Sequence, residues 1–154
     1  MPTTPLRAAA RVIILDDEQR VLLLRYAENG GFWATPGGAL EAGEDPSSAA
    51  RRELHEELGL SANVELSTPL AKRSREHHVG GRLVRQVEQY FLARLAPADI
   101  NPARAPQTDN IRSRRWWPLY EVHATSETIY PVGLPDLLTR LVTNGMPDQP
   151  VVLE

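Results

Sequence analysis

Two short runs of apolar residues near the start of the chain are separated by a polar segment. The runs cover residues 11–15 and 20–25, and the four residues between them are Asp, Asp, Glu and Gln. Apolar runs of this length on either side of a short polar turn are typical of a β-hairpin. The pattern therefore predicts two paired strands, followed by a loop rich in glycine and proline over residues 30–45.

The segment 46–58 has the pattern of an α-helix with clear signals at both ends. Asp45 is a favourable N-cap, Pro46 suits the first helical position, and Gly59 is a common helix terminator. The apolar stripe predicted to face the core consists of Ala50, Leu54 and Leu58. This helix is the best-defined element of the sequence.

The rest of the chain is predicted to contain more strands than helices. The predicted elements are strands over residues 64–72, 83–95 and 114–117, a surface loop over 97–110, and a closing helix from about 135 to 144. Most strands lack an intervening helix, which excludes a purely parallel doubly wound sheet. We predict a single α/β domain over residues 1–154, built as a sandwich around a mixed sheet, with extended tails at 1–9 and 146–154.

Composition and charge exclude several classes of function. Of the 154 residues 42% are hydrophobic and 24% are charged, and the formal net charge is −3. Such a chain is not expected to bind nucleic acids generally, because that binding relies on basic surface. No apolar run approaches the roughly 18 residues that span a membrane, and the N-terminal residues lack a secretory signal. The absence of cysteine rules out a thiolate metal site and fits a cytoplasmic location.

Three glutamates crowd one side of the predicted helix near its C-terminal end. Glu53, Glu56 and Glu57 are separated by three and four residues, so their side chains share a face. The arrangement opposes the helix dipole and places like charges four residues apart, at roughly 0.3–1 kcal/mol for each effect. A solvated face of glutamates and arginines is the simpler interpretation. A bound divalent cation would remove the conflict, and carboxylate oxygens suit Mg²⁺ or Mn²⁺.

The spacing of these residues resembles the Nudix box, the signature of MutT-like pyrophosphohydrolases. Gly38 is followed after five residues by Glu44, and after seven more by RELHEELGL at 52–60, which agrees with the box at every specified position. The likeness extends over about 11–143 and includes the segments WATPGG before the box and RRWWPL near the end. The resemblance implies the Nudix-type α/β/α sandwich with a mixed β-sheet.

The resemblance also implies an activity, the hydrolysis of a nucleoside diphosphate linked to another group by attack of water on phosphorus. By the family's pattern Glu53 is the first choice for the general base, and Arg52 orients it. The implied metal ligands are Glu53, Glu56 and Glu57 together with a backbone carbonyl at Gly38. The implied cofactor is Mg²⁺, with Mn²⁺ as a substitute.

Residues beside the box are implied to contact the substrate or to support the loop. Gly37 and Gly38 allow the backbone to approach a ligand closely. Glu44 either braces the loop or makes an outer contact to metal. Trp33 is the best candidate for stacking on a base, because it lies just before this loop.

Several candidates lie outside the box. Family members often take a further carboxylate ligand from elsewhere, and Glu88 or Asp109 could supply it here, although ordinary surface charge is the favoured interpretation of both. His77 and His78 follow a basic stretch and could bind phosphate or assist catalysis. A solvated loop is the favoured interpretation of these histidines.

The resemblance leaves the substrate open. The additional patterns of ADP-ribose, dinucleoside-polyphosphate and coenzyme A members are absent from this sequence. A nucleoside triphosphate, including an oxidised one, is therefore the first expectation, and ADP-ribose or a nucleotide sugar is the second. A nucleotide sensor without turnover belongs to a different class, and the intact box argues against it. The expected partner is a small-molecule nucleotide, and the sequence allows either a monomer or a homodimer.

Overall fold

A computed structural model describes residues 4–106 and 110–154 of the chain. The strands of the described part are β1 (Leu6–Leu15), β2 (Val21–Tyr26), β3 (Phe32–Ala34), β4 (Gly37–Ala39), β5 (Ala71–Val79), β6 (Arg82–Arg94), β7 (Ile111–Trp117), β8 (Ile129–Tyr130) and β9 (Val151–Leu153). The helices are α1 (Pro46–Leu58), α2 (Leu119–Ala124) and α3 (Leu134–Asn144). Three-residue 3₁₀ turns occur at Glu28–Gly30, Pro97–Asp99 and Pro102–Arg104.

The strands form one mixed sheet whose two halves diverge from the first hairpin. Strand order along the main path is β8-β3-β2-β1-β6-β5-β9, while β4 pairs with β1 and β7 pairs with β2. The predicted hairpin of β1 and β2 is confirmed, but these strands pair only where Leu15 faces Val21. Beyond that point β1 runs parallel to β6 and β2 runs antiparallel to β7, so each strand continues into a different part of the sheet.

Helices cover both faces of the sheet, which confirms the predicted α/β/α sandwich. On one face α1 packs against a core whose buried members include Val12, Ile14, Leu54 and Leu58. On the other face α2 and α3 pack against a second core, which includes Ile13, Leu15, Trp117 and Leu138. Alternate residues of β1 thus enter opposite cores, as a strand buried on both sides requires. In residues 4–106 and 110–154 no helix is long and apolar enough to cross a membrane.

The strand predicted over residues 64–72 is wrong in its position. The described strand β5 begins only at Ala71, shortly after Pro69, which has no N–H to donate to a sheet ladder. It then continues through polar residues as far as Val79 and pairs along its length with β6. The turn between them is Gly80-Gly81, with φ angles of 58° and 80°, and Gly-Gly between two strands is a strong hairpin signal.

Segments predicted as a loop or as extended tails contribute strands to the sheet. The loop predicted over 30–45 contains the short strands β3 and β4. Within the extended segments predicted at 1–9 and 146–154, residues from Leu6 onwards form β1 and residues Val151–Leu153 form β9. Pairing with β6 and β5 satisfies backbone groups that a free tail would leave to solvent.

Candidate active site

Helix α1 is anchored at both ends by the residues that the sequence indicated. The Asp45 side chain accepts a hydrogen bond from the backbone N–H of Ser48 at 2.8 Å, and Gly59 is left-handed with φ of 69°. The N–H of Gly59 donates to the carbonyl of His55 at 2.9 Å, which closes the last turn. The predicted helix over 46–58 is confirmed, and its glutamate-bearing end is held in a defined position.

Glu57 is the buried member of the three glutamates, with only 7% of its surface exposed. One carboxylate oxygen accepts the backbone N–H of Gly37 at 2.9 Å, and the other accepts the hydroxyl of Tyr26 at 3.1 Å. Burial, followed by the nearby charge of Glu53, raises the pKa of Glu57 to about 7. A carboxylate in this position is poorly solvated, so a positive charge beside it would stabilise its ionised form.

The Gly37-Gly38 pair allows the backbone of β4 to lie directly against its neighbours. Gly37 has φ of +143°, and a Cβ added there would lie 2.7 Å from the Cα of Arg11. A Cβ added to Gly38 would lie 2.7 Å from the carboxyl carbon of Glu53. A side chain at Gly37 is excluded by the backbone of β1, whereas the absence of one at Gly38 lets the Glu53 carboxylate lie directly against the β4 backbone.

Arg52 links the box helix to the loop that precedes it. Its Nη1 donates to one oxygen of Glu53 and one oxygen of Glu56, both at 3.1 Å. Its Nε and Nη2 donate to the two oxygens of Glu44 at 2.8 and 2.9 Å, and Nη2 also donates to the carbonyl of Ala39 at 3.0 Å. The bidentate pair therefore forms with Glu44, and the candidate base Glu53 receives a single hydrogen bond.

The environment of Glu53 suits a proton acceptor. Burial is the main cause of a raised pKa, the Arg52 charge opposes it, and the charge of Glu56 adds to it. A carboxylate with a raised pKa is a stronger base than an exposed glutamate. Arg52 therefore holds the carboxylate of Glu53 in place, and the charges of Arg52 and Glu56 adjust its basicity in opposite directions.

The donor set around the helix end fits a hard divalent cation in its chemistry. It offers carboxylate oxygens from Glu53, Glu56 and Glu57 and the adjacent backbone of Gly38, and buried Glu57 has a raised pKa that a cation would offset. In residues 4–106 and 110–154, however, no three acidic or imidazole side chains are gathered as a metal site. Glu53 and Glu56 are instead directed to Arg52, and Glu57 to Gly37 and Tyr26.

A cavity of about 500 Å³ opens beside the box helix. Its lining includes Glu57 and Gly37 from the box side, the arginines Arg7, Arg11 and Arg73, and the aromatic residues Tyr26, Phe32, Tyr90 and Tyr130. The lining thus combines these three arginines, the basic wall of the cavity, with three glutamates, Glu28, Glu57 and Glu88, and its aromatic rings come from β2, β3, β6 and β8. This size and composition suit a nucleotide.

The predicted stacking role of Trp33 is wrong, because its ring faces the protein core. Trp33 is 7% exposed and packs edge-on against Trp117, with ring centroids 5.2 Å apart. The neighbouring residue Phe32 points to the opposite face of β3 and lines the cavity, where it stacks on Tyr26 at 5.3 Å. Successive side chains of a strand point to opposite faces of the sheet, so only one of two adjacent residues can reach the cavity. The adjacent aromatic residues Phe32 and Trp33 in the sequence could have indicated this choice.

The favoured interpretation of Glu88 as ordinary surface charge is wrong, because Glu88 is buried and its carboxylate accepts hydrogen bonds from two arginines. One oxygen accepts from Arg11 Nε at 2.9 Å, and the other accepts from Arg73 Nη1 and from the Tyr90 hydroxyl, both at 3.2 Å. Gln86 donates to it as well at 3.2 Å. Burial raises the pKa of Glu88, but the charges and hydrogen bonds of Arg11 and Arg73 outweigh this effect and leave it lowered.

The two candidate histidines lie in a strand. His77 and His78 lie in β5 and not in the predicted solvated loop, and they face Val84 and Leu83 across the hairpin. Asp109 lies outside the described residues. The cavity-lining residues that the sequence did not indicate, chiefly Arg11 and Arg73, are brought together by pairing between distant strands.

The fold and the box helix beside a cavity define a Nudix-type hydrolase, an enzyme that acts on phosphorus-containing anhydrides. The family model described as "NUDIX domain" matches residues 5–136, and the chain belongs to this family. The chain is 31% identical over 140 residues to an RNA pyrophosphohydrolase of Cellvibrio japonicus, with 82% of each chain covered. It is also 31% identical over 115 residues to an RNA pyrophosphohydrolase of Rhodospirillum rubrum, covering 68% of this chain and 70% of that protein.

Solved structures show the same fold. The MutT protein of Methanosarcina mazei Go1 is similar with a TM-score of 0.69 and 18% identity, over 92% of this chain and 96% of that one. The dihydroneopterin triphosphate pyrophosphohydrolase of E. coli is similar with a TM-score of 0.68 and 19% identity, over 92% and 99% of the two chains. At these identities the likeness concerns the fold and leaves the substrate open.

Proposed function

We propose that this protein is a Mg²⁺-dependent pyrophosphohydrolase of nucleoside diphosphates linked to another group, with a nucleoside triphosphate, including an oxidised one, as the first substrate class. The observation that carries the proposal is that Glu57 of the box helix and the adjacent Gly37 of β4 line the cavity. The stacked Tyr26–Phe32 pair lines the same cavity and offers a surface for a base. A polyphosphate and its nucleoside can therefore occupy one continuous space.

In this proposal Glu53 accepts the proton of the attacking water. The water oxygen forms a bond to phosphorus, the anhydride P–O bond breaks, and the two products each carry phosphate. Arg52 keeps the carboxylate of Glu53 in place through its hydrogen bond of 3.1 Å and is itself fixed by Glu44. The backbone of Gly38 lies directly beside this carboxylate, because the glycine has no side chain between them.

Glu53, Glu56, Glu57 and the carbonyl of Gly38 are the groups proposed to hold Mg²⁺, with Mn²⁺ as a substitute. When bound, the ion would neutralise pyrophosphate charge and lower the pKa of the attacking water. For Glu53 and Glu56 this binding requires a change of hydrogen-bond partner, because both carboxylates are directed to Arg52. The pair of Arg52 with Glu44 uses other guanidinium nitrogens and does not involve these two carboxylates.

A second substrate class is the 5′-triphosphorylated end of RNA. Two relatives at 31% identity, from Cellvibrio japonicus and Rhodospirillum rubrum, are named RNA pyrophosphohydrolase. The basic wall with Arg7, Arg11 and Arg73 is consistent with a substrate that carries additional phosphate. ADP-ribose or a nucleotide sugar is the third substrate class, and a nucleotide sensor without turnover is the competing kind of function. The cytoplasmic location and a homodimer stay predictions.

The test is a turnover assay with a panel of nucleotides in Mg²⁺, in Mn²⁺ and in excess EDTA after thorough removal of metal. Release of phosphate-bearing products that depends on Mg²⁺ or Mn²⁺ and is lost in Glu53→Gln is expected. Hydrolysis in ¹⁸O-water should label a phosphate product, which shows attack at phosphorus. Binding of nucleotides without turnover of any panel member would favour the sensor, and full turnover in EDTA would contradict the metal requirement.

A further inference from the structure

We propose that Tyr26 is a positioning residue that connects the base-binding side of the cavity to the cation site, because its ring stacks on Phe32 and its hydroxyl group holds Glu57. The inference rests on the function proposed above and adds a coupling to it. A nucleoside packed against the aromatic rings strengthens the binding of the divalent cation, and the cation strengthens the binding of the nucleoside by the same factor.

Tyr26 is the last residue of β2, and its neighbours on the two sides are paired in different ways. On one side it faces Phe32 of β3. On the other side the pairing with β7 shifts, so that Arg25 faces Ser113 whereas Tyr26 faces Ile111. A register shift of this kind bends a strand locally and changes the direction of a side chain. From this position the side chain of Tyr26 lines the cavity.

The ring of Tyr26 belongs to a row of three aromatic rings. It stacks on Phe32 with centroids 5.3 Å apart and an interplanar angle of 22°. Phe32 in turn meets the ring of Tyr130 edge to face, at 5.4 Å and 74°. All three residues line the cavity. Aromatic rings are a stacking surface for any nucleobase, so a base that packs against this row restricts the motion of Tyr26.

The other end of the same side chain reaches the box helix. The Tyr26 hydroxyl donates to one carboxylate oxygen of Glu57 at 3.1 Å, and the backbone N–H of Gly37 donates to the other at 2.9 Å. Gly37 is held by the pairing of β4 with β1, so its N–H is a fixed donor. The hydroxyl is at the tip of a side chain, and its position depends on the ring. The orientation of the Glu57 carboxylate therefore depends on Tyr26.

A base and a cation thus act on opposite ends of one side chain. The base restricts the ring of Tyr26, and the cation requires one orientation of the carboxylate that the hydroxyl holds. The ligand that binds first meets the entropic cost of ordering this side chain, and the second ligand is spared that cost, which gives positive coupling. A hydroxyl that only satisfied a buried carboxylate would stabilise the fold and would leave the cation affinity independent of the nucleoside.

The experiment measures the Kd for Mn²⁺ from the electron paramagnetic resonance signal of the free ion, in adenosine, in cytidine or in ribose. These additives carry no phosphate that would bind the ion strongly. In the wild type a nucleoside should lower the Kd by at least about fivefold relative to ribose, the lower end of typical coupling between sites. Tyr26→Phe keeps the ring and removes the hydroxyl, so this effect should fall to about twofold or less. The same Kd in all three additives for the wild type, or an undiminished nucleoside effect in Tyr26→Phe, would overturn the proposal.

Tyr90→Phe is the matched control, because the Tyr90 hydroxyl also donates to a buried carboxylate of the cavity lining, that of Glu88 at 3.2 Å, and Glu88 is not part of the box helix. This variant should keep the nucleoside effect of the wild type. Phe32→Leu should lose the effect, because it changes the stacking surface beside Tyr26. Thermal melts without metal complete the comparison: a purely structural hydroxyl would lower the melting temperature of Tyr26→Phe and leave its nucleoside effect as in the wild type.

Turnover of the nucleotide panel, measured on the same preparations, separates this inference from the proposed function. Metal-dependent turnover without any nucleoside effect on the Kd for Mn²⁺ would contradict the coupling alone. A nucleoside effect that requires the Tyr26 hydroxyl, without turnover of any panel member, would contradict hydrolysis alone and support the coupling. A wild type that did not bind Mn²⁺ would contradict both the cation requirement and the coupling. Calorimetry gives the reciprocal check, because Mn²⁺ should lower the Kd for the nucleoside by the same factor.

Discussion

Arg52 and Glu44 form a bidentate ion pair, with Nε and Nη2 of the guanidinium 2.8 and 2.9 Å from the two carboxylate oxygens. The pair joins the box helix to the loop before it, and the remaining nitrogen of Arg52 donates to Glu53 and Glu56. One guanidinium therefore determines the position of the loop and the orientation of the candidate base. Lysine cannot reproduce this, because its ammonium group lacks the planar fork.

Replacement of Arg52 by lysine is expected to lower kcat by at least about tenfold, since misplacement of a catalytic group by about 1 Å has effects of this size or larger. Substrate affinity should change less than kcat. Steady-state kinetics of the wild type and the variant measure both kcat and KM and check this expectation.

The control is Arg51→Lys, which changes the neighbouring arginine in the same way. Arg51 makes a single hydrogen bond, from Nε to the carbonyl of Val64 at 3.0 Å, on another side of the helix. If the two substitutions lowered kcat equally, Arg52 would have no specific role in orienting the base.

The metal-free protein is expected to lose stability as the pH rises from about 5 to 8. Burial raises the pKa of Glu57 to about 7, above the roughly 4.3 of an unfolded chain. The folded protein therefore binds this proton more tightly, and the stability that the proton provides is complete below about pH 4.3 and disappears as the pH rises through 7. The free energy of unfolding should fall by up to about 3 kcal/mol over this interval.

Glu57→Gln isolates this effect because glutamine stays neutral at every pH. Denaturant melts in EDTA at several pH values should show that the free energy of unfolding of the variant increases relative to that of the wild type as the pH rises. Mg²⁺ should restore the wild type at pH 8, because it binds the ionised carboxylate of the folded state. Parallel stability curves for the two proteins would show that Glu57 does not titrate in this range.

Glu53→Gln is expected to lower kcat by about 10²–10⁴, the range for loss of a general base, with little change in substrate affinity. The measurement is single-turnover kinetics beside a binding titration. The side chain keeps its size, so Arg52 and Gly38 retain a neighbour of the same shape. A loss in kcat smaller than about tenfold would assign the base to another group.

Removal of the aromatic ring is expected to have different effects at the two aromatic residues of β3, Phe32 and Trp33. Phe32→Ala should raise KM for nucleotides by about tenfold, because it removes the ring that stacks on Tyr26 beside the cavity. Trp33→Ala should instead destabilise the fold by about 3–5 kcal/mol, because it empties a core position. Thermal melts and kinetics of both variants check this, and a large rise in KM with normal stability for Trp33→Ala would reverse the assignment.

Local signals explain what the sequence could predict. The ends of α1 were predictable because Asp45, Pro46 and Gly59 start or end the helix through effects on residues close to them in the sequence. The box could be found for the same reason, since its spacing lies within one loop and one helix. The fold class followed from the order of these elements.

Contacts between distant segments explain what the sequence could not predict. The burial of Glu57 depends on β4 approaching α1 through Gly37, and the ion pair of Arg11 with Glu88 joins residues 77 positions apart. Nothing in the immediate neighbourhood of Glu88 distinguishes it from a surface glutamate. The position of β5 was missed because its polar residues resemble a loop and its pairing is decided by the turn at Gly80-Gly81.

Strand β9 supports one of the side chains that line the cavity. The carbonyl of Glu154 accepts the hydrogen bond of 2.7 Å that orients Arg73, and β9 fixes this carbonyl by pairing with β5. A variant that lacked residues 151–154 would keep the whole Nudix box and lose this support. Its Arg73 side chain would be held less firmly at the cavity while the box itself was unchanged.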